Sequence, residues 1–192
     1  MDTVYGAPAD YPGISIVIAT VLFGIQIYCD FYGYSTIATG AAQILGIKLM
    51  DNFDAPYLAD SVAGFWRRWH ISLTSWFKDY LYIPLGGNRR GRLRKYINIM
   101  IVFLVSGLWH GASMAFVIWG GINGLYQVIG ELTSPIRERI RIHRPFRILC
   151  TFILVDFAWL FFRAGDISQA ISVLKAMFNH RAWSDVADVS SL

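Results

Sequence analysis

His110 is the side chain whose type and surroundings most directly imply chemistry. It is the only titratable group other than tyrosine in a run of 35 residues, Tyr96 to Gly130, that carries no charge. A polar group in so apolar a stretch is costly unless it lines a cavity or finds partners. Gly107, Trp109 and Gly111 flank it and mark a local break where backbone could approach a substrate. An imidazole of intrinsic pKa about 6.5 can take a proton from a hydroxyl at neutral pH, which suits a general base. The competing reading is a histidine that only hydrogen-bonds a neighbouring helix.

Two further residues carry weaker signals. His70 sits at the rim of an aromatic stripe, where interfacial anchoring is the commoner role. Asp156 interrupts an apolar segment, and a carboxylate at such depth is a functional suspect. It lies seven residues before Arg163 on the same helical face, so a structural ion pair or a helix-bridging role is an equal alternative. His180 and Asp185 have a His-x4-Asp spacing known from acyltransfer, which arises easily by chance. There is no nucleophile elbow, no Cys/His metal spacing and no phosphate-binding glycine loop. Cys29 and Cys150 lie in apolar stretches and read as free thiols.

The elements that must position these residues follow from the pattern of charge. Pro12 to Cys29 has no charged residue and reads as a first spanning segment; Thr36 to Ile47, rich in Gly, Ala and Thr, reads as a second, shorter or re-entrant one. Phe65, Trp66, Trp69, Leu73, Trp76, Phe77 and Tyr80 fall on one side of a helical wheel, with Arg67 and Lys78 opposite, which predicts a helix lying in a membrane interface. Pro84 to Asn88 ends it in a turn. The 35-residue run, about 52 Å as one helix, is too long for one crossing and predicts a hairpin broken between Ser106 and Ala112. Ile148 to Phe162 is a last apolar segment, and Ile167 to Phe178 an amphipathic helix.

Composition agrees. Of 192 residues 55% are hydrophobic and 16% charged, and mean hydropathy is +0.44, which excludes disorder and argues against an ordinary water-soluble domain. Seven Trp, ten Tyr and thirteen Phe suit two membrane interfaces. The length accommodates four or five crossings at about 20 residues each. Asp2 and Asp10, with no early positive charge, argue against a cleavable signal peptide. Two basic loops, Arg89 to Lys95 and Arg137 to Arg147, abut the apolar segments on one side of the hairpin; anionic lipid and inward topology explain them better than nucleic acid does.

Three stretches taken together are more specific: Phe65-Trp66-Arg67-Arg68-Trp69-His70-Ile71-Ser72-Leu73, Trp76 to Arg89 with its Ile83-Pro84-Leu85-Gly86-Gly87-Asn88-Arg89, and Gly107-Leu108-Trp109-His110-Gly111-Ala112. With Asp30-Phe31-Tyr32-Gly33-Tyr34-Ser35 and Asn52-Phe53-Asp54-Ala55-Pro56-Tyr57-Leu58, they resemble the membrane-bound O-acyltransferase family, in its alginate O-acetyltransferase-like branch, over about Gln26 to Gln169.

The resemblance implies an all-α, polytopic fold, a ring of tilted helices around a tunnel, of which residues 1–192 form a single partial domain with an interfacial helix and re-entrant or broken segments. It implies His110 as the principal catalytic residue and His70 as the second polar position. Trp66, Trp69 and Trp109 would wall the tunnel, Arg67 and Arg68 would attract an acyl-CoA phosphate, and Asp156 joins them as a candidate. No metal and no bound cofactor are implied. The donor substrate it implies is acetyl-CoA or another acyl thioester, and the acceptor it implies is a polysaccharide reached through a periplasmic or extracellular acetyltransferase partner. The expected location is the bacterial inner membrane, multi-pass. D-alanyl export for teichoic acid comes second, then peptidoglycan acetylation. A non-catalytic docking scaffold and a transporter are the other classes. Members of the family are typically more than twice this length, so the chain is expected to be a central portion, inactive or unstable in detergent when alone.

Overall fold

In a computed structural model that describes residues 1–140 and 142–178, nine α-helices follow one another among the described residues with no named strand. They are α1 (Asp2–Gly6), α2 (Gly13–Ile44), α3 (Val62–Trp66), α4 (Ile71–Phe77), α5 (Arg92–His110), α6 (Met114–Leu132), α7 (Ser134–Arg139), α8 (Arg144–Arg163) and α9 (Ile167–Met177). His180 and Asp185 lie outside the described residues.

The first two expected segments are one. α2 runs unbroken for 32 residues, through Asp30 and Gly33, because no proline interrupts it and Asp30 stays exposed on its surface. At about 1.5 Å per residue it spans about 48 Å, longer than a hydrocarbon core of about 30 Å, so it must tilt or project. α2 and α8 are each long and apolar enough to cross a membrane. Both keep large apolar side chains exposed along a stripe, Ile18, Leu22 and Ile25 on α2, Phe146, Leu149 and Ile153 on α8. That pattern suits helices solvated by lipid rather than water.

The expected hairpin is present, with its break at Gly111 to Ser113. α5 and α6, 19 residues each, pack closely because small residues face each other. A Cβ on Gly107 would collide with the Phe116 carbonyl oxygen, and one on Gly120 with that of Phe103. Ser113 caps α6 by accepting from the Ala115 N–H (3.2 Å) and donates its own hydroxyl to the Gly165 carbonyl (3.1 Å), tying the hairpin tip to the α8–α9 link. At the other end Lys95 meets Glu131 at 2.6 Å, so both basic loops sit at the open end of the hairpin.

The expected interfacial helix over residues 65 to 80 does not form as one piece. The chain leaves α3 after Trp66, passes through His70 in the left-handed region (φ 46°), enters α4, and continues into a π-helical turn at Lys78–Tyr82. The cause is hydrogen bonding across the chain. Asp54 N–H donates to the Arg68 carbonyl and Ile71 N–H to that of Asn52, both at 3.0 Å, around a bridge between Phe53 and Trp69. The Arg68 carbonyl and the Ile71 N–H thus go to the 52–54 loop, while the Arg68 and Trp69 N–H groups turn back to the Phe65 carbonyl, and the aromatic stripe divides. Phe65 and Trp69 are buried, whereas Trp76 and Tyr80 are exposed.

The core is aromatic. Trp69 stacks on Phe65 (5.4 Å) and lies 5.1 Å from Trp159, which stacks on Trp119 at 5.9 Å. These rings tie α3, α6 and α8 together beneath the candidate site. Arg163 pairs with Asp2 and lies 5.6 Å over Tyr5, so the Asp156–Arg163 pair read from their spacing is absent.

Candidate active site

One cavity of about 800 Å³ has both His70 and His110 on its wall. α5 lines it from Ile99 to His110, about 16 Å of helix, so the cavity runs from near the basic end of the hairpin toward its tip.

His110 closes α5 as its last residue and is half-buried among rings. Trp119 (5.1 Å) and Phe162 (5.0 Å) meet it edge to face, and Trp109 lies 4.9 Å away. His70 is reached differently. Its left-handed backbone, a conformation costing about 1–3 kcal/mol for a residue with a side chain, sits where α3 hands over to α4. There the imidazole meets Phe31 of α2 edge to face at 4.5 Å and Trp109 at 6.5 Å. Among the described residues neither imidazole has a hydrogen-bond partner, so both keep their nitrogens available. Burial, with His110 adding to it, pulls the His70 imidazole below its ordinary value to about 4, so it is neutral at physiological pH.

Trp66, Trp69 and Trp109 lie on the same wall, as does Arg67. Trp66 is held by its Nε1–H, which donates to Asn123 Oδ1 (3.2 Å), while Asn123 donates to the Trp119 carbonyl (2.8 Å). Arg68 and Asp156 lie off the cavity wall. Arg68 turns toward Asp54, 3.9 Å away, and Asp156 packs beside Gly24 of α2, its Oδ1 without a partner among the described residues.

Arg67 and Lys78 were expected on the far side of a helix from the aromatics. With that helix broken at His70, both reach the cavity that the aromatics line. Asp30, Phe31, Trp119 and Phe162 also line it. Periodicity carried no signal for Trp119 or Phe162, whose place depends on how α6 and α8 pack; Asp30 and Phe31 were within reach through the Asp30-Phe31-Tyr32 motif.

The arrangement offers two imidazoles, an aromatic wall and two cationic side chains in one elongated cavity. A family model of membrane-bound O-acyltransferases matches residues 3–164. The chain belongs to that family. As a membrane-bound O-acyltransferase family member it is 42% identical over 171 residues to a probable alginate O-acetylase of Pseudomonas fluorescens, covering 87% of this chain and 34% of that protein. It is 41% identical over 162 residues to a peptidoglycan O-acetyltransferase of Helicobacter pylori, covering 83% and 31%. A teichoic acid D-alanyltransferase of Bacillus subtilis is 30% identical over 105 residues, covering 51% and 27%. The chain thus spans about a third of the length of these curated relatives.

Proposed function

We propose that this chain carries the reaction centre of a membrane O-acyltransferase that moves an acetyl group from a cytoplasmic thioester, acetyl-CoA or a carrier equivalent, toward hydroxyls of an extracellular polysaccharide. The observation behind this is the pair of hydrogen-bond-free imidazoles, His70 and His110, on one aromatic cavity.

In this reading His110 accepts the proton of the attacking hydroxyl. The hydroxyl oxygen forms a bond to the thioester carbonyl carbon, the C–S bond breaks, and the thiolate leaves to be protonated. Neutral His70 donates an N–H to the carbonyl oxygen as negative charge develops there. The rings around His110 exclude water, which would otherwise hydrolyse the thioester. Arg67 and Lys78 attract the donor's phosphates. Both basic loops face the cytoplasm, so the donor enters from that side of a multi-pass protein in the bacterial inner membrane.

The relatives support a choice of acceptor. Identity to polysaccharide and peptidoglycan acetylases exceeds that to the D-alanyltransferases and extends over more of the chain, which favours a glycan hydroxyl over teichoic acid alanylation. Final delivery by an extracytoplasmic acetyltransferase partner fits a polymeric acceptor that lies across the membrane from the donor. The deciding experiment uses His110→Ala in the full-length protein: polymer acetylation is lost while the membrane level stays normal. Retained acetylation at normal level overturns the assignment, and a scaffold that only docks the partner would behave in that way.

A further inference from the structure

His70 is the N-cap residue of α4, yet its side chain caps nothing. The first amides of α4, which have no partner inside the helix, are met instead by Asn52. Its carbonyl oxygen accepts from Ile71 N–H at 3.0 Å, and its Oδ1 accepts from Ser72 N–H at 3.1 Å and from the Ser72 hydroxyl at 2.6 Å. Asn52 does not line the cavity that holds His70.

From this geometry we infer that Asn52 is a positioning residue of the acyl-transfer centre, capping α4 from a separate loop so that the His70 imidazole is left free to face the cavity. The inference rests on the role given to His70 above and goes beyond it by naming what holds that role in place.

The physical reason lies in competing demands on one residue. A side chain at an N-cap ordinarily turns back to accept from the second or third amide of its helix. An imidazole that did so would point away from the cavity and lose an acceptor nitrogen. Asn52 removes that demand. The rest of the clasp, the main-chain bonds of Asp54 to Arg68 and Ile71 to Asn52, the Phe53–Trp69 ring contact and the Arg68–Asp54 ion pair, does not use the side chain at position 52, so the Oδ1 pair is the part that needs this residue. Residues 52–54 and 68–71 thereby act as one unit, and a left-handed His70 is stable within it.

The test compares Asn52→Ala, Asn52→Asp and His70→Ala in the full-length protein in membranes, reading protein level together with kcat and KM for acetyl-CoA-dependent acetylation. Asn52→Ala is expected to lower kcat about tenfold or more with KM within about twofold. Asn52→Asp keeps an Oδ acceptor and is expected to restore kcat to within about threefold. Should Asn52→Ala reduce the protein level, Ser72→Ala at normal level supplies the comparison, removing the 2.6 Å bond alone with a smaller kcat loss in the same direction. Wild-type kcat in Asn52→Ala beside an inactive His70→Ala overturns the inference and leaves the reading of His70 standing. Failure of Asn52→Asp to rescue, or unchanged kcat in Ser72→Ala where that comparison is used, also overturns it. Full activity in His70→Ala overturns the reading of His70 itself.

Discussion

His70 and His110, forty positions apart, line the same cavity, and Trp109 lies in ring contact with both, 6.5 Å from one imidazole and 4.9 Å from the other. Trp109 therefore sets the wall that both histidines share. Replacing it by Ala should open that wall and admit water. If the proposed reaction runs in this cavity, the full-length protein shows a rise in thioester hydrolysis without acceptor, measured as free thiol release, together with reduced acetyl transfer.

His110→Gln keeps the size and a hydrogen-bonding end but removes the basic nitrogen. Loss of general-base catalysis is typically on the order of 10²–10⁴-fold. A kcat reduced by about that factor with KM little changed is expected from steady-state assays of the full-length protein in membranes; a raised KM with wild-type kcat would assign His110 to binding instead.

Arg67 and Lys78 converge on the cavity wall although they lie eleven positions apart. Neutralising both, as Arg67→Gln with Lys78→Gln, should raise KM for the donor about five- to tenfold and weaken its salt dependence, while kcat stays near wild type. An unchanged KM in a salt titration would remove them from donor binding.

The His70 imidazole is pulled to about 4 by burial. Unfolded, it takes a proton near its ordinary value of about 6.5, so between these values the unfolded chain binds more protons and stability falls as pH falls. His70→Gln removes this contribution. Thermal unfolding in detergent should show the wild-type midpoint dropping relative to His70→Gln as pH is lowered from 7 toward 4.5, and a constant difference would contradict the burial of this ring.

The α5–α6 hairpin depends on backbone contact at Gly120, where a Cβ meets the Phe103 carbonyl, but not at Gly121, where it would meet only Leu104 Cδ2 at 3.7 Å. Gly120→Val should destabilise by about 1–3 kcal/mol or more and separate the helices. Gly121→Ala should be tolerated, gaining helix propensity of up to about 1 kcal/mol. Protease resistance in membranes distinguishes the two.

Much of this protein was written in the order of its residues. A charge-free run of 35 residues between basic loops is too long for one crossing of a bilayer, and that length predicts the hairpin, broken beside His110, that the structure shows. The motifs around His70 and His110 are local, so family and candidate site were legible without coordinates. What the tertiary structure decided is whatever depends on partners distant in the chain. A helical wheel assumes that a segment bonds only to itself; here the Arg68 carbonyl and the Ile71 N–H bond to the 52–54 loop on either side of a left-handed His70, the helix breaks there, and Arg67 and Lys78 both reach the cavity. Spacing placed Arg163 on the same face as Asp156, but packing of α1 gave it Asp2. α2 stayed whole because a helix without proline keeps its own hydrogen bonds through an exposed Asp30, and no pattern of composition along that segment outweighs those bonds.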